Sequence, residues 1–105
     1  MLLNKANERT WTPTDHAGIE RSLFRTNDEG GRSSVVRLAG GARFPRHTHL
    51  GHEEVLVLTG SVAIGGVELG VGDYLYTQGG EEHDVVALTD AVIFVSSQKA
   101  TPLVG

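Results

Sequence analysis

Short apolar runs broken by glycine are the feature that most constrains the fold of this chain. Runs of Val, Ile and Leu are interrupted repeatedly by the 14 glycines of a 105-residue sequence. Glycine suits tight turns that need positive φ, and short alternating runs suit strands. No window after residue 20 has a persuasive helical period. Strands with turn signals at intervals of about 8–12 residues predict an all-β sandwich or barrel.

The predicted strands follow each other closely along the chain. They span residues 19–25, 33–38, 42–49, 54–59, 61–64, 67–69, 73–77, 84–88 and 91–96. Gly65-Gly66 predicts a hairpin, because both central residues of such a turn can take positive φ. Thr89-Asp90 predicts a second hairpin between the last two strands.

The two ends of the chain are expected to be less regular. Residues 1–18 form a polar N-terminal arm, with a short helix or a loose segment over residues 4–9. Trp11 is the one large apolar group of the arm, and we expect it to pack onto the barrel or a second subunit. Residues 98–105 are expected to be a loose or edge segment.

Length and composition exclude several classes of protein. A chain of 105 residues fits a single domain, residues 1–105. It has no cysteine, which excludes disulfides and thiolate metal sites. The net charge is −4 and the basic residues are scattered, so no nucleic-acid partner is expected. Neither a signal peptide nor a membrane-length apolar run is visible, and we expect a soluble, cytoplasmic protein.

A cluster of histidines carries the chemistry of this sequence. His47 and His49 are two residues apart, so on a strand they project to the same side. A turn over residues 50–52 would bring Glu53 back beside them, and His83 opens a later strand after a glycine turn. Imidazole and carboxylate ligands suit Zn, Fe, Mn, Ni or Co. Taken alone, a His-x-His pair is equally compatible with solvated loop histidines.

The spacing of these residues resembles the two motifs of the cupin superfamily. The first motif is matched by Gly41, His47, His49, Glu53 and Gly60. The second is matched by Gly72, Gly80 and His83, with Gln78 in place of a proline and Ala87 in place of an asparagine. The resemblance implies a cupin double-stranded β-helix, a jelly-roll barrel whose core is residues 33–97.

A closer resemblance is to the cupin domain of ChrR-type anti-sigma factors and to acetylacetone-cleaving dioxygenases. In the ChrR-like group three His and one Glu bind zinc, and those positions fall on His47, His49, Glu53 and His83. The dioxygenases use three His on iron without needing the Glu. The resemblance therefore implies one divalent metal ion per chain, of which Zn, Fe, Mn and Ni are the alternatives.

Alternation and motif spacing choose among the acidic and histidine neighbours. Adjacent strand residues face opposite ways, so only one of Glu53 and Glu54 can reach the metal. Glu53 fits the six-residue gap to Gly60, and Glu54 is then expected to face outward. His52 should also point away from the metal, although at the barrel mouth it could act as a proton shuttle or gate.

Other candidate residues are assigned more loosely. Tyr74 and Tyr76 share one face of their strand, and one of them, such as Tyr76, could line the cavity and act in catalysis; core packing is the alternative. Arg37 or Arg46 could bind an acidic substrate if either faced inward, but a solvated surface position is expected. His16 is treated as a surface residue. Phe44, Val55, Val57, Val85 and Phe94 are expected in the cavity wall or in the core.

Three functions remain open from the sequence. A metal with open positions supports a small-molecule metalloenzyme, either a dioxygenase or an isomerase or lyase. The alternative is a ChrR-like sensor of a ligand or oxidant that acts through a partner protein, and a purely structural metal is the third reading. The resemblance also implies a homodimer, in which the strand around residues 19–25 and the Trp11 arm cross to the partner and cover a sheet edge.

Overall fold

Two antiparallel sheets face each other in the structure of this protein, a computed structural model that describes residues 1–100. The strands are β1 Thr12–Pro13, β2 Ile19–Thr26, β3 Arg32–Leu38, β4 Arg43–Thr48, β5 Glu53–Thr59, β6 Val62–Ile64, β7 Val67–Leu69, β8 Tyr74–Thr77, β9 Glu82–Ala87 and β10 Ala91–Ser97. One sheet has the order β1-β2-β3-β10-β5-β8 and the other the order β4-β9-β6-β7. The predicted all-β cupin jelly roll is confirmed.

The arm is mostly irregular and folds back onto the barrel. Its only helical segment is a 3₁₀ turn over Ala6–Glu8, within the predicted stretch. The Trp11 ring is half-buried, with the Arg37 guanidinium carbon 4.3 Å from its centroid. The short strand β1 was not predicted. Within residues 1–100 no helix has the length and apolarity of a membrane span.

The last two strands do not form the predicted hairpin. β9 pairs with β4 and β6 in the four-stranded sheet, whereas β10 pairs with β3 and β5 in the six-stranded sheet. Residues 88–90 therefore carry the chain from one sheet to the other, as a jelly roll requires. The predicted Gly65-Gly66 hairpin is confirmed, with φ of +56° and +80° at the two glycines between β6 and β7.

The strand β2 pairs with its own chain. It runs antiparallel to β3 from Ile19 opposite Leu38 to Thr26 opposite Arg32. Its other edge is paired with β1 at Glu20 and Arg21, and the expected crossing of this strand to a second subunit stays a prediction. Lys99 makes an isolated bridge to Gly30, and the predicted tail beyond residue 100 lies outside the described residues.

The core fills the space between the sheets. Its fully buried side chains include Leu38, Val57 and Val62, and the inward faces of β3, β5, β9 and β10 supply most of the rest. Alternation explains the pattern: on β5, Glu53, Val55 and Val57 are buried while Leu56 and Leu58 are exposed. Glu53 thus lies on the strand face that also builds the core.

One motif glycine is required by close packing. Gly60 ends β5 with φ of +71°, and a Cβ there would lie 2.0 Å from the carbonyl oxygen of Asp90. No larger residue fits this approach between the end of β5 and the start of β10. The glycine lets β5 end tightly against β10, its neighbour in the six-stranded sheet.

Candidate metal centre

Three histidines and one glutamate converge inside the barrel. The ligand atoms of His47, His49, Glu53 and His83 all lie within 4.8 Å of one another. His47 on β4 is paired in register with His83 on β9, and His49 lies just beyond the end of β4. Glu53 opens β5 on the opposite sheet. The cluster therefore joins the two sheets at one end of the barrel.

Hydrogen bonds hold two of the imidazole rings in a defined orientation. The Nδ1 of His47 lies 3.1 Å from the Pro45 carbonyl oxygen, and the Nδ1 of His49 lies 2.8 Å from the Glu81 carbonyl oxygen. Each Nδ1–H donates to its carbonyl, so each Nε2 keeps a free lone pair toward the cluster. This pattern, in which one ring nitrogen is fixed by a backbone carbonyl, is typical of metal-binding histidines.

The inner nitrogens of two histidines have no hydrogen-bond partner. The Nε2 atoms of His49 and His83 are buried and make no hydrogen bond in the structure. They lie 3.3 and 3.8 Å from Oε1 of Glu53, whose side chain is 9% exposed. Leaving a buried polar atom unpaired costs about 1–3 kcal/mol. A metal ion would satisfy both nitrogens, so the residues present fit a metal.

Burial and mutual repulsion shape the protonation of the cluster. Burial, with the nearby His47 and His49, lowers the pKa of His83 to about 4. Burial also lowers the pKa of His47. For His49 burial acts in the same direction, but the Glu53 carboxylate and the Glu81 carbonyl raise its pKa overall. Neutral imidazoles are the metal-binding form, so two of the three rings are ready for metal near neutral pH.

The choice between the two adjacent glutamates agrees with alternation. Glu53 is buried in the cluster, whereas Glu54 lies on the outer face and accepts a 2.6 Å hydrogen bond from the Tyr74 hydroxyl. That bond raises the pKa of Tyr74. Glu54 is therefore engaged away from the histidines.

In the turn that carries the second motif, Gln78 stands where the cupin motif has proline, and the side chain of Glu81 closes the turn. Gln78 keeps a backbone N–H, which donates a 2.6 Å hydrogen bond to the Glu81 carboxylate. Gly80, with φ of +91°, donates its N–H to the His49 carbonyl oxygen at 2.6 Å. Gly80 and Glu81 therefore hold the backbone and the ring of His49, respectively, by hydrogen bonds.

A cavity of about 90 Å³ lies beside the cluster, between the two sheets. His47 and Glu53 line it, together with Phe44, Val55 and Val85, three of the five predicted wall residues. The other two lie elsewhere: Val57 is in the core, and Phe94 stacks with Phe24, with ring centroids 6.3 Å apart. The cavity gives a small molecule room next to the four side chains.

The assignment of Tyr76 to the cavity is wrong. Tyr76 is 51% exposed and Tyr74 is 55% exposed, because Leu75 and Thr77 take the inward positions of β8. The Tyr76 ring stacks on His52, with centroids 5.7 Å apart. His52 lies outside the four-residue cluster and does not line the cavity, so neither residue is placed to act on a molecule bound there.

The structure also shows the surroundings of Arg37, Arg46 and His16, the remaining predicted residues. Arg37 pairs with Glu20 and Arg46 with Glu82, both at 2.8 Å on the surface, as the solvated alternative expected. His16 is not simply a surface residue. Its ring is half-buried and contacts Phe44 edge-on at 4.6 Å, and Phe44 in turn contacts His47 at 5.0 Å.

Sequence reasoning missed two arginines of the cavity, Arg21 and Arg32. The signal was present, because Arg21 lies two residues after the buried Ile19 on β2. Arg32 likewise lies two residues before the buried Ser34 on β3. Period-2 alternation gives each the same side of its strand as a buried residue, where Arg21 is half-buried and Arg32, at the strand end, remains exposed.

Comparison with known proteins gives the family. The family model for the ChrR cupin-like domain matches residues 1–101. The chain belongs to the ChrR cupin-like family. No curated protein matches the sequence.

Solved structures show the same fold as this family member. A candidate acetylacetone dioxygenase from Methylibium petroleiphilum PM1 is 18% identical, with a TM-score of 0.86 over 100% of this chain and 86% of that one. An acetylacetone dioxygenase from Acinetobacter johnsonii is 14% identical, with a TM-score of 0.86 over 100% and 77%. The anti-sigma ChrR of Rhodobacter sphaeroides, solved with SigE, is 24% identical, with a TM-score of 0.78 over 90% and 52%.

Proposed function

We propose that the protein binds one divalent metal ion through His47, His49, Glu53 and His83 and uses it as a small-molecule metalloenzyme. The observation that carries the proposal is the pair of buried Nε2 atoms without partners, aimed at a carboxylate beside a cavity. Zn, Fe, Mn and Ni all accept this ligand set. A closed structural site would have no need of an adjacent cavity.

Each side chain has a distinct role in this proposal. The imidazole rings of His47 and His49 are held by backbone carbonyls so that each would direct its Nε2 at the ion, and Glu53 supplies the one negative charge of the set. A bound ion would supply Lewis acidity to a carbonyl or enolate oxygen, or with iron would allow dioxygenase chemistry. The apolar wall of Phe44, Val55 and Val85 would exclude water from the substrate.

The experiment is elemental analysis of protein purified without added metal, followed by an O₂-uptake screen on the iron-loaded form with β-diketones and catechols. The same panel is then offered to the Zn, Mn and Ni forms, with substrate loss followed by chromatography. Turnover by one metal form that is lost in His83→Ala supports the enzyme. His52→Ala is the matched control, because this histidine lies outside the cluster. No turnover with any form argues against the enzyme.

A non-catalytic sensor is the second candidate, favoured by an apolar outer face. We define the outer patch as Leu56, Leu58, Tyr74 and Tyr76, which are 36–55% exposed on β5 and β8. Such a surface suits a protein partner. The ChrR of similar fold was solved in a complex with SigE. Binding of a small ligand without turnover, coupled to binding of a partner through the outer patch, would favour the sensor.

The same patch supports the proposed homodimer. β8 is the end strand of the six-stranded sheet within residues 1–100, so its backbone edge is open to a second copy. Light scattering of the wild type should give twice the chain mass. Leu56→Glu should give the monomer, and Val67→Glu, at an exposed position of the other sheet, should not. A monomeric wild type would refute the dimer.

A further inference from the structure

Two guanidinium groups line one part of the cavity beside the four-residue cluster. Arg21 on β2 and Arg32 at the start of β3 share this wall with Ser34 and Ser97, close to Glu53. The rest of the lining is largely aliphatic. The cavity therefore has a cationic, hydrogen-bonding part and an apolar part.

The two arginines lack the partners that other arginines of the chain have. Within residues 1–100 the ion pairs use Arg37, Arg43 and Arg46, and none uses Arg21 or Arg32. Burial lowers the pKa of the half-buried Arg21, the charge of Arg32 lowers it further, and Glu53 opposes both effects. Arg21 is therefore a partly desolvated cation that forms no ion pair within residues 1–100, which is costly for the folded protein. Arg32 is exposed and adds positive charge at the edge of the cavity. An anion in the cavity would remove that cost.

The balance of charges in the cavity also favours an anionic ligand. Arg21, Arg32 and a bound divalent ion would carry four positive charges, and Glu53 is the one acidic residue in the lining. The metal part of this balance rests on the proposed function, whereas the two guanidiniums do not. A positive excess in a site with apolar walls favours an anionic ligand, because fixed charges interact more strongly away from water.

The size of the cavity limits the ligand. At about 90 Å³ it is smaller than the cavity of about 150 Å³ that holds a benzene. Ligands are therefore limited to molecules no larger than benzene, which has about six non-hydrogen atoms. Guanidinium groups match the planar geometry of a carboxylate, with two parallel hydrogen bonds.

We propose that the cavity binds a small carboxylate, held at its carboxylate group by Arg21 and Arg32, with an adjacent oxygen directed at the metal cluster. Short 2-oxo acids have this arrangement of groups. The arginines would then select anionic over neutral ligands of the same shape. The aliphatic wall would hold the short carbon end of the ligand.

The test compares pyruvate with pyruvamide, which has the same number of non-hydrogen atoms and no charge. Binding of each to the zinc-loaded protein is measured by isothermal titration calorimetry. We expect pyruvate to bind at least tenfold more tightly than pyruvamide. Arg21→Met and Arg32→Met should each weaken pyruvate binding about tenfold or more, the loss expected for a charged hydrogen bond, and leave the affinity for pyruvamide unchanged.

Matched controls separate this inference from the proposed metal site. Arg37→Met removes a surface arginine that pairs with Glu20 and should leave both affinities unchanged. Arg21→Lys keeps the positive charge and should restore part of the pyruvate affinity. Because Arg21 forms no ion pair within the described residues 1–100, Arg21→Met should also raise the melting temperature of the ligand-free protein, which serves as a check on folding.

Two experimental results would overturn the inference. Equal pyruvate affinity in Arg21→Met and Arg37→Met would refute the role of the arginines, and so would failure of wild-type protein to bind pyruvate at all. Zinc content is measured on each sample by elemental analysis. Absence of zinc binding by the wild type refutes the proposed function, while selectivity for pyruvate over pyruvamide in that same sample still decides for or against the arginines.

Discussion

His47 on β4 and His83 on β9 are direct partners in the antiparallel register, with ring centroids 4.7 Å apart and planes 88° to each other. This pairing joins two residues that are distant in sequence and directs both rings toward Glu53. Backbone pairing between two strands thus fixes the relative positions of His47 and His83. Preorganisation of this kind lowers the cost of binding.

Metal should stabilise the fold. Adding EDTA to the metal-loaded protein should lower its melting temperature, because buried nitrogens of His49 and His83 lose their only partner. With free metal at about 100 times its Kd, the linkage is worth about 2.7 kcal/mol. In a domain of this size that corresponds to a shift of about 10–20 °C. Scanning calorimetry with and without EDTA measures it, and an unchanged melting temperature in wild type would count against the site.

The metal-free protein should lose stability as the pH falls from 6.5 toward 4. The pKa of His83 is about 4 when folded, against an ordinary value of 6.5, so the unfolded chain binds the proton more readily in this range. The contribution of His83 is complete above pH 6.5 and amounts to about 3 kcal/mol. The lowered pKa of His47 acts in the same direction.

His49 partly offsets this profile. Its pKa is raised on folding, so its contribution is complete below pH 6.5 and is lost as the pH rises through the folded value. Urea unfolding of EDTA-treated protein at several pH values measures the sum. His83→Gln should flatten the decline between pH 6.5 and 4, and His52→Gln should keep the wild-type slope. Identical slopes in wild type and His83→Gln would show that His83 does not titrate as described.

Gly60→Ala should destabilise the protein far more than Gly66→Ala. Both glycines have positive φ, which costs a non-glycine residue roughly 1–2 kcal/mol. A Cβ at Gly60 also meets the Asp90 carbonyl oxygen at 2.0 Å, whereas a Cβ at Gly66 meets nothing within 4 Å. Denaturant unfolding of both variants makes the comparison. Equal losses of stability would mean that close packing at Gly60 is unimportant.

The fold and the four-residue cluster could be predicted because each depends on local spacing. Alternation allowed only one of Glu53 and Glu54 to reach the cluster, the spacing to Gly60 chose Glu53, and the second motif selected His83. The last connection needed tertiary information. Whether Ala91–Ser97 pairs with the preceding strand or crosses to the other sheet depends on the jelly-roll path, and the turn at Thr89-Asp90 is compatible with both.

The cavity residues were harder to predict, for a physical reason. Alternation determines which residues share a face, but not which face points inward when both faces carry apolar groups. On β8 the sequence Tyr74-Leu75-Tyr76 is apolar throughout, and the structure turns Leu75 inward. On β2 the buried Ile19 indicated the inward face, and Arg21 shares it.

The central claim, that His47, His49, Glu53 and His83 hold one divalent ion, is tested most directly by Co²⁺ titration of metal-free protein. Bound cobalt is counted by elemental analysis after dialysis, and its visible spectrum reports the ligands. Wild type and Glu54→Ala should each bind one cobalt per chain with the same spectrum. Glu53→Ala and His83→Ala should lose the ion or at least 10-fold in affinity. Full occupancy with an unchanged spectrum in either variant would contradict the four-residue site.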